Sequence, residues 1–596
     1  MYEKLRAHFL VFVRHILADM TYFIKIEKWI WGHSVDEDLC KEAVYSNDYY
    51  DLILDYIGGY PLGDPECILQ VDDTYDIGFY SRARAPELNL QDYPYLTIPH
   101  CLTPMDMTAL EVSGILRLQN PAALDLQGQG VLIGFVDTGI NYEHPAFRNA
   151  DGSTRIMGIW DQTRMDGTPP SGMVYGAFYG EAEINAALQA EHPEELVPER
   201  DENGHGTFLA GVACGSADAG AGFSGAAPLA HLAVVKCKQA KQYLRDYYFI
   251  PDGVECYQEN DVMMGLTWLN DLAYELRLPL VLCIGMGGSL GNHAGEEPLS
   301  VQCDELGRRR QRAVVVAAGN EANQRHHEQR SVIQGEAETI EVSVGERVNG
   351  FQMEVWTMVP EVYQVSVISP TGERFPKTVV RPGSRQEYTF LFEQTRLTVE
   401  YTIVGTRNSM QLICLRFEKP FAGIWSVEMQ ADLALSGNVF CWLPLSAFLS
   451  GEVFFLRSSP DTTITMPGMS RVAITAGAYQ AVGGSIYPDS GRGFSSLGAV
   501  KPDLIAPGVN VSGPTLRDRY ELRSGTSISA ALTAGACAQM FQWGIVENNM
   551  LYLNTTELKS LLIRGAGRDE DRTYPSPVYG YGTLNVYDAL LRLRGI

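Results

Sequence analysis

Three short segments of this 596-residue chain carry the residue types that turn a hydroxyl into a nucleophile. In chain order they are IGFVDTGINYEHPAF, DENGHGTFLAGVACG and SGTSISAALTAGACA, which hold Asp137, His205 and Ser527. A serine hydroxyl attacks poorly until a base takes its proton. A histidine serves as that base, and a carboxylate holds the imidazole in the required tautomer. Gly204 and Gly206 flank His205, so other backbone can approach the ring. Ser527 precedes Ala530, Ala531, Ala534, Gly535 and Ala536, small residues that let a helix pack closely. The free N–H groups at such a helix N-terminus face a developing oxyanion. Asn320, after the run VVVAAG, can add its side-chain amide to the same charge. A donor of this kind contributes ~3–4 kcal/mol in the transition state. The chemistry that fits is acyl transfer through a covalent intermediate.

These residues lie far apart in sequence, so regular elements must bring them together. VLIGFVD (131–137), HLAVVKCK (231–238), PLVLCIGMG (279–287), AVVVAAGN (313–320) and RVAITAGAY (471–479) are continuous apolar runs. Stretches long enough for crossover helices separate most of them. This pattern predicts a parallel sheet covered on both faces, a doubly wound α/β architecture whose chemistry sits at the carboxyl ends of the strands. Asp137 and Asn320 fall at such ends. Between about 332 and 457 the pattern becomes short alternating segments such as FQMEVWTM, RLTVEYTIV and GIWSVEM. About eight of these, spaced by turns, predict an inserted antiparallel β domain of jelly-roll type. The α/β domain is therefore split into 101–331 and 458–596. Residues 1–100 form a separate region rich in Tyr, Asp and Leu, and its first 31 residues read as an amphipathic helix.

Composition narrows the function. The net charge of −26 opposes binding to nucleic acids or anionic membranes. No apolar run reaches the length of a membrane span. Eleven scattered cysteines with no CxxC pair read as reduced thiols. Together with the lack of a signal-peptide pattern, they point to a cytoplasmic or spore-associated setting. Gly287-Gly288-Ser289-Leu290-Gly291 matches a nucleophile elbow, but no helix pattern follows Ser289, which reads as a loop serine. The glycines of 220–225 lack a preceding strand and read as a loop. His326-His327 beside Glu328 reads as a solvated loop, and no metal motif is present.

The motifs DTG, GHGT, AAGN and SGTS, in this order, resemble the subtilase family over about 110–330 and 460–590. The resemblance implies that Asp137 orients His205, that His205 is general base and acid, that Ser527 is the nucleophile and that Asn320 lines the oxyanion hole. It implies that CIGMGGSLG supplies the strand that pairs with substrate, with Gly285, Met286 and Gly287 beside the substrate backbone. Many subtilases carry Ser-Leu-Gly there. Further segments, IPHCLTPMDMTALEVSGI, TRIMGIWDQT and VVKCKQAKQYLRDYY, together with the β insert, resemble the clostridial Csp germination proteases. That likeness implies a prodomain up to about residue 100, cut by the enzyme itself within about 92–104 and then occupying the cleft. The partners implied are a protein or peptide substrate and the chain's own prodomain. No cofactor is required. Subtilases often bind calcium, which no motif here supports. A different class of function stays open: a subtilase-fold regulatory protein whose cleft is permanently blocked.

Overall fold

The computed structural model describes residues 37–55, 63–72, 74–104, 113–119, 124–379, 381–404 and 410–594. Eight strands form the central sheet, in the order Leu504–Pro507, Ile474–Tyr479, Arg312–Ala317, Leu280–Ile284, Leu132–Asp137, His231–Lys236, Ile156–Asp161 and Ala177–Gly180. All neighbours run parallel except the last pair. Burial on both faces explains why these strands read as unbroken apolar runs: Leu132–Asp137 is buried at every position. The helices His205–Cys214 and Thr526–Phe541 lie on one face and share a core with Ile133, Phe135 and Val281. The helices Glu259–Leu276 and Pro298–Arg308 cover the other, over Leu132, Val136 and Leu282. Glycine permits the close contact of the first pair: a methyl on Gly535 would collide with Ala226 and the Ala213 carbonyl.

Two antiparallel sheets follow Asn320. One has six strands, from His327–Ser331 through to Arg385–Thr389, and the other has five, from Arg374–Val379 to Val453–Phe455. Their facing sides enclose Phe351, Phe417, Trp425 and Phe390. The first strand begins before the expected boundary at 332. It also overturns the solvated-loop reading of the HHE segment, because His326, His327 and Glu328 are buried. His327–Ser331 pairs with Asn438–Trp442, and the His327 ring stacks on Trp442 at 5.0 Å between centroids. His293 stacks on Trp442 as well, at 4.1 Å. Polar letters hid a strand whose one histidine, His327, is a buried packing group.

The described part of the N-terminal region is a helix, Glu37–Tyr45, on a three-stranded antiparallel sheet of Tyr49–Asp55, Tyr75–Ser81 and Cys67–Gln70. A disulfide joins Cys40 of the helix to Cys67 of the sheet, with Cα atoms 5.4 Å apart. The expectation of reduced thiols fails for this pair. Twenty-seven residues separate the two cysteines, and only the fold brings them together. Nine other cysteines are free and buried. The helix expected in the first 31 residues lies outside the described residues. No described helix is long and apolar enough to cross a membrane.

Burial lowers the His293 pKa from 6.5 to about 4. Burial, with a smaller contribution from neighbouring His293, lowers that of His327 to about 3. Both rings are held neutral, so their packing contribution is complete above about 6.5 and is lost as pH falls towards 4. For His293 the loss is on the order of 3 kcal/mol. Thermal melts should show stability falling from pH 6.5 to 4, and less steeply in His327→Phe. An equal slope in that variant would remove His327 as a cause.

Candidate active site

The central sheet sets the site. Asp137 is the last residue of its strand, and its Oδ1 accepts from the Thr138 N–H at 2.8 Å. His205 opens its helix after Gly204, whose φ of +86° favours glycine. His205 Nδ1 lies 2.7 Å from Asp137 Oδ1, across 68 residues of chain. His205 Nε2 lies 3.3 Å from Ser527 Oγ, across 322 residues. All three side chains are buried. Geometry of this kind lets the hydroxyl pass its proton to Nε2 while the carboxylate steadies the imidazolium that forms.

Ser527 is the second residue of Thr526–Phe541, at the end where backbone N–H groups lack partners within the helix. Asn320 Oδ1 accepts from the Thr526 N–H at 3.1 Å and its hydroxyl at 3.2 Å. Thr526 Oγ1 in turn accepts from the Gly319 N–H at 2.9 Å. The amide oxygen is thus committed to the helix start, and the NH2 group is left as the donor. Gly285 passes directly beneath the pair: a methyl there would come 3.2 Å from both His205 Cε1 and Ser527 Cβ. Asp137, His205, Ser527, Asn320 and Gly285 therefore converge.

Met286 and Gly287 form a short strand that pairs antiparallel with Cys101–Pro104. Gly287 faces Thr103, and Met286 faces Pro104. On its other edge Cys101–Pro104 pairs with Tyr257–Gln258, Cys101 facing Gln258 and Leu102 facing Tyr257. An extended segment held between two strands is the arrangement of strand-addition recognition. Upstream, His100 donates or accepts at both ring nitrogens, to Glu259 at 2.9 Å and to the Tyr95 hydroxyl at 3.1 Å. Tyr95 reaches both oxygens of Glu354, in the six-stranded sheet, at 2.9 Å. Burial alone would lower the His100 pKa, but the Glu259 carboxylate raises it above its usual value.

Sequence reasoning missed Asp201, although DENGHGT contains it. Its Oδ1 accepts from the Thr138 hydroxyl and the Gly204 N–H, both at 2.8 Å, and its Oδ2 from the Thr207 N–H at 2.9 Å. Thr138 Oγ1 accepts from the Gly206 N–H. Asp201 thereby ties the loop before His205 to the end of the Asp137 strand. The spacing Asp-x-x-Gly before the histidine is the signal of such a turn. Ser289 donates to the Leu443 carbonyl, which agrees with its rejection as a nucleophile. No group of three or more His, Cys, Asp or Glu able to hold a metal occurs among the described residues.

The fold and this constellation define a serine hydrolase built on a parallel sheet. The chain belongs to the subtilase family, whose model matches residues 128–402 and 450–582. It is 25% identical to thermitase of Thermoactinomyces vulgaris over 208 residues, 35% of this chain and 54% of that protein. It is 31% identical to the serine protease AprX of Bacillus subtilis over 157 residues, 22% of this chain and 33% of that protein. The chain thus spans about half and a third of these curated relatives. A solved structure of the Clostridium perfringens CspB protease superposes with a TM-score of 0.72 at 29% identity, covering 80% of this chain and 96% of that one.

Replacing Asp201 by Ala strands several buried donors at once. The melting temperature should drop by an amount equivalent to about 3 kcal/mol, measured by calorimetry, whereas Asp201→Asn, which keeps an acceptor, should lose less. Equal melting of Asp201→Ala and the parent would deny the loop this anchor.

Proposed function

We propose that the chain is a serine endopeptidase that cuts its own N-terminal region and holds the product in its cleft. The carrying observation is the placement of Cys101–Pro104 on the strand Met286–Gly287, beside a Ser527–His205–Asp137 relay. Ser527 attacks the carbonyl, His205 takes and returns the proton, and the helix start with Asn320 binds the oxyanion. The reaction uses only protein groups and water. The register supports a sharper cut site. If Gly287 faces Thr103 and Met286 faces Pro104, the next residue counted towards Gly285 and Ser527 is Met105. The expected cut is then the bond between Met105 and Asp106, just past the 92–104 window; both residues lie outside the described ones.

On this reading residues 1–105 are a prodomain, and the two antiparallel sheets are an inserted jelly roll that braces it. Tyr50, Leu52, Tyr93 and Tyr95 share one apolar cluster with Tyr243 and Tyr248 of the α/β domain and with Trp356, Leu412 and Phe440 of the β insert. The length of the match to CspB supports a restricted processing enzyme of that kind, acting in a spore-associated or cytoplasmic setting. The Cys40–Cys67 bridge favours the more oxidising of these. A blocked-cleft protein is the second reading, favoured by the same occupied strand.

Ser527→Ala should stay full length on an intact-mass measurement while the parent yields a new N-terminus at Asp106. Splitting in both proteins would refute self-cleavage. A parent that cuts itself yet ignores added peptides would establish the blocked state as the end point. Because the folded His100 pKa is raised, the anchor's ionic contribution is present below about 6.5 and is lost as pH rises through that raised value. Size-exclusion chromatography of the cut protein should therefore show more free fragment at alkaline pH, and His100→Gln should remove the dependence. Release that is independent of pH in the parent would contradict this anchor.

A further inference from the structure

The segment paired with Met286–Gly287 opens on a cysteine, and a second cysteine lies beside it. Cys101 faces Gln258 across the ladder to Tyr257–Gln258. Side chains alternate along extended chain, so Cys256, two residues before Gln258, lies on the same side as Cys101. The two thiols hydrogen-bond to each other. Both are free and buried, inside the apolar cluster that also holds Tyr50, Tyr248 and Trp356. The backbone of Cys256 is fixed: its N–H donates to Gln239 Oε1 at 3.1 Å, and its carbonyl accepts from the Ala240 N–H at 2.7 Å. The ladder that carries Cys101 is two pairs long. One sulfur is thus held in place, and the other sits on a short strand end that can close to an S–S distance of about 2.05 Å.

Residues 1–105 hold three cysteines, Cys40, Cys67 and Cys101. The first two are joined to each other. Cys101 is therefore the thiol through which a cut N-terminal fragment can be tied covalently to the rest of the chain, and Cys256 is the thiol it meets. The Cys40–Cys67 bridge needs an oxidant in the protein's setting. A second pair of thiols in the same chain meets that oxidant too.

We propose that Cys101 and Cys256 form a disulfide by exchange with a small disulfide of the glutathione class, and that this bond ties the cut fragment to the protease until a thiol reductant frees it. This rests on the self-cleavage reading above and adds a control on the release of its product. Burial raises the pKa of the Cys101 thiol well above its ordinary value, so the seated thiol stays protonated and unreactive. The first exchange therefore takes place with the strand lifted. The Cys101 thiolate attacks the small disulfide, forms a mixed disulfide and expels one small thiolate. As the strand seats, the Cys256 thiolate attacks the Cys101 sulfur, and the second small thiolate leaves. The two protons given up by the cysteines end on the two small thiols. Two cysteine thiols are oxidised and one small disulfide is reduced. A reductant runs the same steps backwards.

The test uses the full-length protein, treated with glutathione disulfide, quenched in acid and alkylated. One portion runs on a denaturing gel without reductant, and another is digested for peptide mapping. In the cut parent the N-terminal fragment should stay with the remainder on the gel and separate once dithiothreitol is added. The map should contain a Cys101–Cys256 peptide pair. Cys101→Ser and Cys256→Ser should each lose the tether and release the fragment without reductant. Ser527→Ala, uncut, should still form the same pair. Cys101 and Cys256 both alkylated in the oxidised parent would overturn the proposal, as would a bridge from Cys101 to any other cysteine. A parent that carries the bridge but stays uncut removes the self-cleavage reading while the disulfide site stands. A cut parent without the bridge removes this inference alone.

Discussion

The hydrogen bond from His205 Nδ1 to Asp137 Oδ1, at 2.7 Å, is the contact around which the rest is arranged. It requires a strand end and a helix start to meet, with no water competing for either atom. The parallel sheet supplies the first, because Asp137 ends a strand buried along its whole length. The Asp201 knot supplies the second, by drawing Thr138, Gly204 and Thr207 onto one carboxylate. Ser527 joins from the opposite side through a helix whose small residues let it lie close to the His205 helix. Thr526 then couples that helix to Asn320, so Ser527 and Asn320 share one anchor.

Most of this was legible in the sequence, for identifiable reasons. Strands buried on two faces give unbroken apolar runs, so 131–137, 231–238 and 313–320 stood out. The Ile156–Asp161 strand is equally apolar but was not among the runs read as strands. Asp137, His205 and Ser527 were legible as candidates because each sits at an element end close to a glycine. What stayed hidden depends on pairing between distant segments. Nothing local to Cys40 or Cys67 announces their bridge, and the polar letters of HHEQR conceal a buried strand stacked on Trp442. Cys101 and Cys256 are likewise ordinary residues until the fold brings their thiols together.

The β insert has a physical role beyond bulk. It carries Glu354 and Trp356 to the segment of Tyr95 and His100, which link it to Glu259 of the α/β domain. One buried polar chain thus crosses three structural units. Buried networks of this kind are costly when incomplete, so they hold their partners in a single arrangement. The bracing of Tyr95 and His100 against both neighbouring units follows from the same contacts.

The account stands on Ser527 being a nucleophile made reactive by His205. Reaction of the purified protein with a fluorophosphonate, followed by peptide mapping, tests this directly. The account predicts a single adduct, on Ser527, that is lost in a His205→Ala protein that still folds. An adduct on another residue, or undiminished labelling of Ser527 without His205, would contradict it.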